Sequence, residues 1–283
     1  RAVTRPGDRA VVEHPGYPHA LDALVQAGLD LTPVAMTPQG WDMDGMLAAI
    51  ARVRPRLIYL IGAHQNPTGH VLSAEDEAAL AAAAARVGAL LVLDDTLREL
   101  WFDRPPPSPV DHGPHVVRLG STSKPYWGGL RVGWLRAHPD VIDVVIRRRP
   151  SLDLGVPVME QLAAAVLLSG DPAPLAARRR TIARQEAHLR ARLAEALPDW
   201  TTRRPEGGLS LWVELPRADS TRLALAAPDH GVRIAPGVRF GINGAYERFL
   251  RLPFSRHEAD LDRAVEGLAA AWNRLDRSKL RRA

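Results

Sequence analysis

Apolar and polar positions follow one rhythm up to about residue 140 and another beyond it. In the first part, short and nearly continuous apolar runs fall at residues 10–13, 31–35, 57–61, 90–93, 116–119 and 132–135. Between them, residues 19–27, 44–53 and 74–87 carry apolar side chains at helical spacing. Each helix has its punctuation: Gly28 ends the first, Pro55 follows the second, and Ser73 with Asp76 makes a capping box for the third. Runs without alternation read as strands buried on both faces, and strands taking turns with helices indicate a parallel sheet covered on both sides. Functional loops then belong at the carboxyl ends of the strands.

Past residue 140 the pattern turns helical over 141–148, 156–168 and a long stretch at 173–197. After Pro198 it mixes strand-like runs at 209–215, 232–234 and 249–252 with helical spacing at 221–227 and 257–272. The fold class expected is α/β: a large, doubly wound, mainly parallel sheet domain over residues 1–170 and a smaller α+β C-terminal domain over 199–283. A connecting helix at 171–198 joins them.

Composition narrows the function. Of 283 residues 46% are hydrophobic and 24% charged, enough chain to bury a sizeable core. A net charge of +5 raises the question of nucleic acid. The arginines, however, are scattered among acids apart from Arg147-Arg148-Arg149 and Arg178-Arg179-Arg180, both on helical stretches that read as solvated faces. With no cysteine, disulfides, thiolate metal sites and a cysteine nucleophile are excluded. No run approaches the roughly 20 apolar residues of a membrane span, and no signal peptide is visible, so a cytoplasmic setting is expected. Ser278-Lys279-Leu280 is not a peroxisomal address, because three residues follow it. The chain starts at Arg1, as the later part of a longer protein would.

Among 37 basic residues only Lys124 and Lys279 are lysine. Lys124 sits in Gly120-Ser121-Thr122-Ser123-Lys124-Pro125-Tyr126-Trp127-Gly128-Gly129-Leu130-Arg131, just after an apolar run. An amine can lose its proton and attack a carbonyl to form a Schiff base, which a guanidinium cannot. Ser121, Ser123, the glycine-rich turn and the fork of Arg131 suit an anion such as phosphate; a surface ion pair would also account for Arg131. Asn66, in His64-Gln65-Asn66-Pro67-Thr68-Gly69, follows another run, where an ordinary Pro-Gly turn is the competing explanation. Asp94 ends a third run and needs a partner: a helix cap, an internal salt bridge or a protonated ring nitrogen. Arg251 lies inside Phe249-Leu250-Arg251-Leu252-Pro253-Phe254 and holds a carboxylate, the protein's own or a ligand's.

Taken in order, Asn-Pro-x-Gly, strand-end Asp, Ser-x-Ser-Lys, Gly-Leu-Arg and a late strand Arg resemble the pyridoxal-phosphate aminotransferases of the aspartate-aminotransferase fold, over essentially the whole chain. The resemblance implies pyridoxal 5'-phosphate as cofactor, with Lys124 as the Schiff-base lysine and proton shuttle. It further implies Asp94 at the ring nitrogen, Asn66 at the ring oxygen and Tyr17 stacked on the ring. Ser121, Ser123 and Arg131 would form the phosphate cup, and Arg251 would bind the substrate carboxylate. Thr96 stands where the family often has a cofactor-touching tyrosine. A family segment that precedes the first residue here, with a phosphate-binding helix start, lies outside this sequence.

Asp94-Asp95-Thr96-Leu97-Arg98-Glu99-Leu100, the Lys124–Trp134 stretch and Met159-Glu160-Gln161 are more similar still to the aminotransferase-like half of MocR-type regulators of the GntR superfamily. Two functions follow from these resemblances. One is amino transfer between an α-amino acid and a 2-oxo acid, in a homodimer. The other is a cofactor- and effector-sensing domain, with DNA as partner only if a winged helix-turn-helix lies upstream of residue 1. A Rossmann-type nucleotide domain fits poorly, since no glycine-rich fingerprint follows the first strand.

Overall fold

The computed structural model describes residues 2–280, except for the side chains of 276–280; Lys279 and the rest of that C-terminal tripeptide motif therefore lie outside the described side chains. The elements run β1 (Arg9–His14), α1 (Pro18–Gln26), β2 (Asp30–Thr37), β3 (Gly40–Trp41), α2 (Met43–Val53), β4 (Leu57–Leu60), α3 (Ala74–Val87), β5 (Leu90–Asp94), β6 (Val116–Ser121) and β7 (Gly133–Arg136). They continue with α4 (Pro139–Arg148), α5 (Val158–Ser169), α6 (Ala173–Ala196), β8 (Thr201–Thr202), β9 (Ser210–Glu214), α7 (Ser220–Ala226), β10 (Ala235–Pro236), β11 (Phe249–Pro253) and α8 (Glu258–Leu280).

Seven strands form one sheet in the order β3-β2-β1-β4-β5-β6-β7. The pairings from β2 through β6 are parallel, while β3 and β7 close the two edges antiparallel. Successive side chains on a strand face opposite ways, and the core divides accordingly. Val11, Ile58, Leu60 and Leu91 pack with Met46 and Ile50 of α2 and Leu80 of α3. Ala10, Val12, Leu57 and Tyr59 pack on the other side with Leu21 of α1. The doubly wound α/β sheet read from the sequence is what the chain builds.

Local chemistry sets the helix ends. Ser73 Oγ accepts from the Asp76 amide at 3.0 Å, and Gly88 at φ 71° ends α3 in the left-handed conformation that glycine adopts most easily. In α6, Leu175, Ile182, Leu189 and Leu193 make a buried stripe at steps of seven and four. This stripe packs with Leu211, Val213, Leu250 and Leu252 of the antiparallel second sheet, order β10-β11-β9-β8, and with Leu261, Val265 and Leu268 of α8.

The strand expected at 232–234 does not form. The Val232 amide turns back to the Ala227 carbonyl at 3.1 Å, and pairing begins only at Ala235, opposite Arg251. Likewise β7 starts one residue after the expected Val132, whose carbonyl is taken by the amide and hydroxyl of Thr122 at 3.1 and 3.0 Å. No described helix is long and apolar enough to cross a membrane.

Candidate active site

The carboxyl ends of β1, β4, β5 and β6 open on one cavity of about 560 Å³, closed on the far side by β9–β11 and their loops. Every candidate named from the sequence lines it: Tyr17, Asn66, Asp94, Thr96, Ser121, Ser123, Lys124, Arg131 and Arg251. Four of the loops follow parallel strands of the sheet, where such a fold leaves its crevice.

Tyr17 is the N-cap of α1; its ring is backed by the cluster around Tyr59 and Leu21 and meets the His19 ring edge-on at 5.3 Å. Asn66 lies in a turn closed by Gly69 N to Gln65 O at 2.6 Å, with Gly69 at φ 77°. Its Oδ1 accepts from Arg251 Nε at 2.9 Å. An arginine only donates, so this bond fixes the amide the right way round and leaves Nδ2 as the free donor. Asp94 caps no helix and has no ion-pair partner among the described residues. Its Oδ1 accepts from the Thr96 amide at 2.9 Å and its Oδ2 from the Tyr59 hydroxyl at 2.7 Å.

The stretch after β6 is folded on itself. Ser123 N donates to Ser121 Oγ at 3.1 Å, and the Tyr126 hydroxyl anchors the turn to the Leu167 carbonyl at 3.0 Å. A side chain at Gly120 would run into the Trp134 indole at 2.2 Å, so the strand passes bare beneath that ring. Arg131 holds a left-handed backbone at φ 54°. Among the described residues neither Lys124 nor Arg131 has an ion-pair partner, and both are exposed to the cavity side.

Arg251 is half-buried, and among the described residues no carboxylate reaches it; its hydrogen-bond partner is the neutral Asn66. Burial pushes its pKa down, with Tyr17 opposing the shift. A desolvated guanidinium at a cavity wall, with no carboxylate in reach among the described residues, is a place for an anion. The open question about this residue is thus answered against an internal salt bridge.

Several groups in or directly behind the site were not singled out from the sequence. Glu13 is buried at the end of β1 and accepts from Trp41 Nε1 at 2.8 Å, Gln65 Nε2 at 2.9 Å and Ile61 N at 3.2 Å. Gln65 Nε2 also donates to the Pro15 carbonyl at 2.8 Å, and its Oε1 accepts from the amide and hydroxyl of Thr68. One side chain thereby holds the Tyr17 turn to the Asn66 turn. His64 is buried in the cavity wall at φ 56°, its pKa pushed down to about 4 by burial. Tyr59 was read only as part of a buried strand; its signal was a hydroxyl in an apolar run, which needs a partner.

A clasp joins the two sheets beside Tyr17. His14 Nε2 accepts from Ile242 N at 2.8 Å, the Tyr246 hydroxyl donates to the His14 carbonyl at 2.6 Å, and Gly16 N donates to Phe240 O at 2.9 Å. Among the described residues no cluster of three His, Asp or Glu is placed to hold a metal ion.

The residues present fit pyridoxal phosphate. There is an unpaired cation and two hydroxyl-bearing serines for a phosphate, a pinned carboxylate for a ring N–H, a free amide donor for a ring oxygen and a primary amine for an aldehyde.

Comparison with known proteins points the same way. The family model for aminotransferase class I and II matches residues 1–268. A 2-aminoadipate transaminase of Thermus thermophilus is 33% identical over 281 residues, covering 96% of this chain and 69% of that one. An HTH-type transcriptional regulator of Escherichia coli, YdcR, is 30% identical over 258 residues, covering 89% of this chain and 55% of the regulator. Among solved structures, a T. thermophilus alpha-aminoadipate aminotransferase complexed with N-(5'-phosphopyridoxyl)-L-leucine matches with a TM-score of 0.90 at 29% identity, over 96% of this chain and 73% of that one.

Proposed function

This chain belongs to the class I and II aminotransferase family, and on that footing we propose that it moves an amino group from an α-amino acid to a 2-oxo acid with pyridoxal 5'-phosphate as cofactor. The observation that carries the reading is Arg251, held at the cavity by Asn66 with no carboxylate among the described residues reaching it. When bound, the cofactor supplies an aldehyde for amines and a ring that takes up electrons.

The protein's residues do the rest. Ser121, Ser123 and Arg131 bind the phosphate. Asp94, pinned by Thr96 and Tyr59, accepts from the protonated ring nitrogen. Asn66 Nδ2 donates to the ring oxygen, and Tyr17 covers one face and excludes water from it. Thr96 lines the wall beside Asp94. Arg251 grips the substrate carboxylate in a two-pronged charge-assisted pair, which orients the α-carbon. Lys124 would hold the aldehyde carbon until the substrate's own amine takes its place there, and the amine so freed would carry the proton between the substrate α-carbon and that carbon.

The test is spectroscopic. The protein loaded with pyridoxal phosphate is expected to absorb in the visible, and Lys124→Ala to lose that band. Adding an amino acid should bleach it and release the matching 2-oxo acid; no bleaching with any common amino acid would sink the reading.

A second reading is supported by the match to the regulator YdcR. There the same pocket binds cofactor and an amine effector, and the output passes to an attached DNA-binding module. Sequencing the gene upstream of residue 1 separates the two readings: about 60–80 codons of helix-turn-helix character favour the sensor.

A homodimer is part of the proposal. It is supported by large apolar side chains left exposed along α5 and the loop before it, among them Leu154, Met159 and Val166.

A further inference from the structure

We propose that Tyr59 is a positioning residue that acts through Asp94: its hydroxyl fixes the carboxylate that meets the ring nitrogen. This rests on the cofactor reading given above.

The geometry follows from the strand register. Tyr59 on β4 stands opposite Val92 on β5, so the two side chains share a face. Asp94 is two residues further along β5, on the same face. It is therefore the diagonal neighbour, within reach of a long side chain, and the Tyr59 hydroxyl meets Asp94 Oδ2 at 2.7 Å.

Tyr59 is buried in the cluster with Val12, Leu21 and Leu57 and does not line the cavity. Burial, and then the nearby charge of Asp94, push the phenol well above its ordinary 10, so it stays protonated and donates. The other oxygen, Oδ1, is held by the Thr96 amide at 2.9 Å. With one donor on each oxygen the carboxylate plane cannot swing, and a remaining lone pair faces the cavity. The matching donor is an N–H in the plane of an aromatic ring. The same cluster backs Tyr17, so one buried group of side chains stands behind both residues.

The role is separable from simple bracing, because it needs a ring nitrogen. The experiment strips the purified protein of cofactor and measures equilibrium binding of pyridoxal phosphate and of its 1-deaza analogue, in which a C–H replaces the ring nitrogen. Tyr59→Phe removes one hydroxyl and keeps the ring. It is expected to weaken pyridoxal phosphate by about tenfold, the usual effect of losing a hydrogen bond to a charged group. The deaza analogue should change by no more than about twofold, the scatter of independent changes. In an Asp94→Ala background, Tyr59→Phe should add nothing for either ligand.

Equal losses for both ligands would overturn the proposal, since Tyr59 would then only support the fold. So would no loss for either, or a full tenfold loss that persists without Asp94. If the unmutated protein binds neither ligand, the cofactor reading itself falls and takes this inference with it. If it binds both and Tyr59→Phe is silent, the cofactor reading stands and this inference alone fails.

Discussion

At the scale of single residues, polar groups that follow or interrupt an apolar run were the legible part of the site. Asn66, Asp94, Lys124 and Arg251 all stand out this way, because a polar side chain beside a buried strand must have a reason to be there. Glu13 escaped notice because it reads as the end of one such run. Its three donors, Trp41, Ile61 and Gln65, come from 28, 48 and 52 positions away, and nothing local announces them. Burial pushes its carboxyl from the ordinary 4.5 up to about 8, with the hydrogen bonds pulling the other way. The folded protein therefore keeps a proton that the unfolded chain has already released between those values. That contribution to stability is complete below the unfolded value and is lost as pH rises through the folded one. Unfolding in urea should show stability declining over this interval, and Glu13→Gln should flatten the profile. Parallel profiles for the two proteins would count against this account.

At the scale of elements, long periodic segments were readable and short ones were not. The stripe of α6 and the cap of α3 follow from spacing and from Ser73. The two-residue strands β3, β8 and β10 carry no periodicity at all, since they exist through pairing with distant partners. The passage at Gly207 is of the same kind. Its backbone crosses so close to the loops after β4 and β5 that an added Cβ would lie 2.3 Å from the Leu100 carbonyl and 2.6 Å from the His64 ring. The carbonyl belongs to backbone and cannot step aside. Gly207→Ala is expected to cost about 1–3 kcal/mol, as overpacking of a close contact does. The midpoint of urea unfolding measures it, and an unchanged midpoint would show that the loop gives way freely.

At the scale of the whole molecule, the helical region from 139 to 169 is exposed along most of its length. In α5 only Ala164 is buried, while Leu152, Leu154, Val158, Met159 and Val166 are each more than two-thirds exposed. Trp127, in the turn that carries Lys124, is exposed as well. Helical spacing was legible here, but the sequence does not say what the apolar face packs against. Apolar surface of this extent marks an interaction site, and a second copy of the chain is the occupant expected. Sedimentation velocity over a range of protein concentrations should show association, weakened by Val166→Glu. A species that stays monomeric throughout would argue against a homodimer.

The bonds that bring the second sheet over the cavity also span the greatest lengths of chain. Arg251 to Asn66 bridges 185 positions and Ile242 to His14 bridges 228. A ribosome delivers residues in order, N-terminal units first. Lys124, Asp94 and the serines thus emerge well before the strand that carries Arg251. During synthesis the amine proposed to meet an aldehyde exists ahead of the guanidinium proposed to select for a carboxylate. The groups proposed to hold the cofactor are thus complete in the growing chain before the group proposed to hold the substrate, and the cavity is closed only when the last strand arrives.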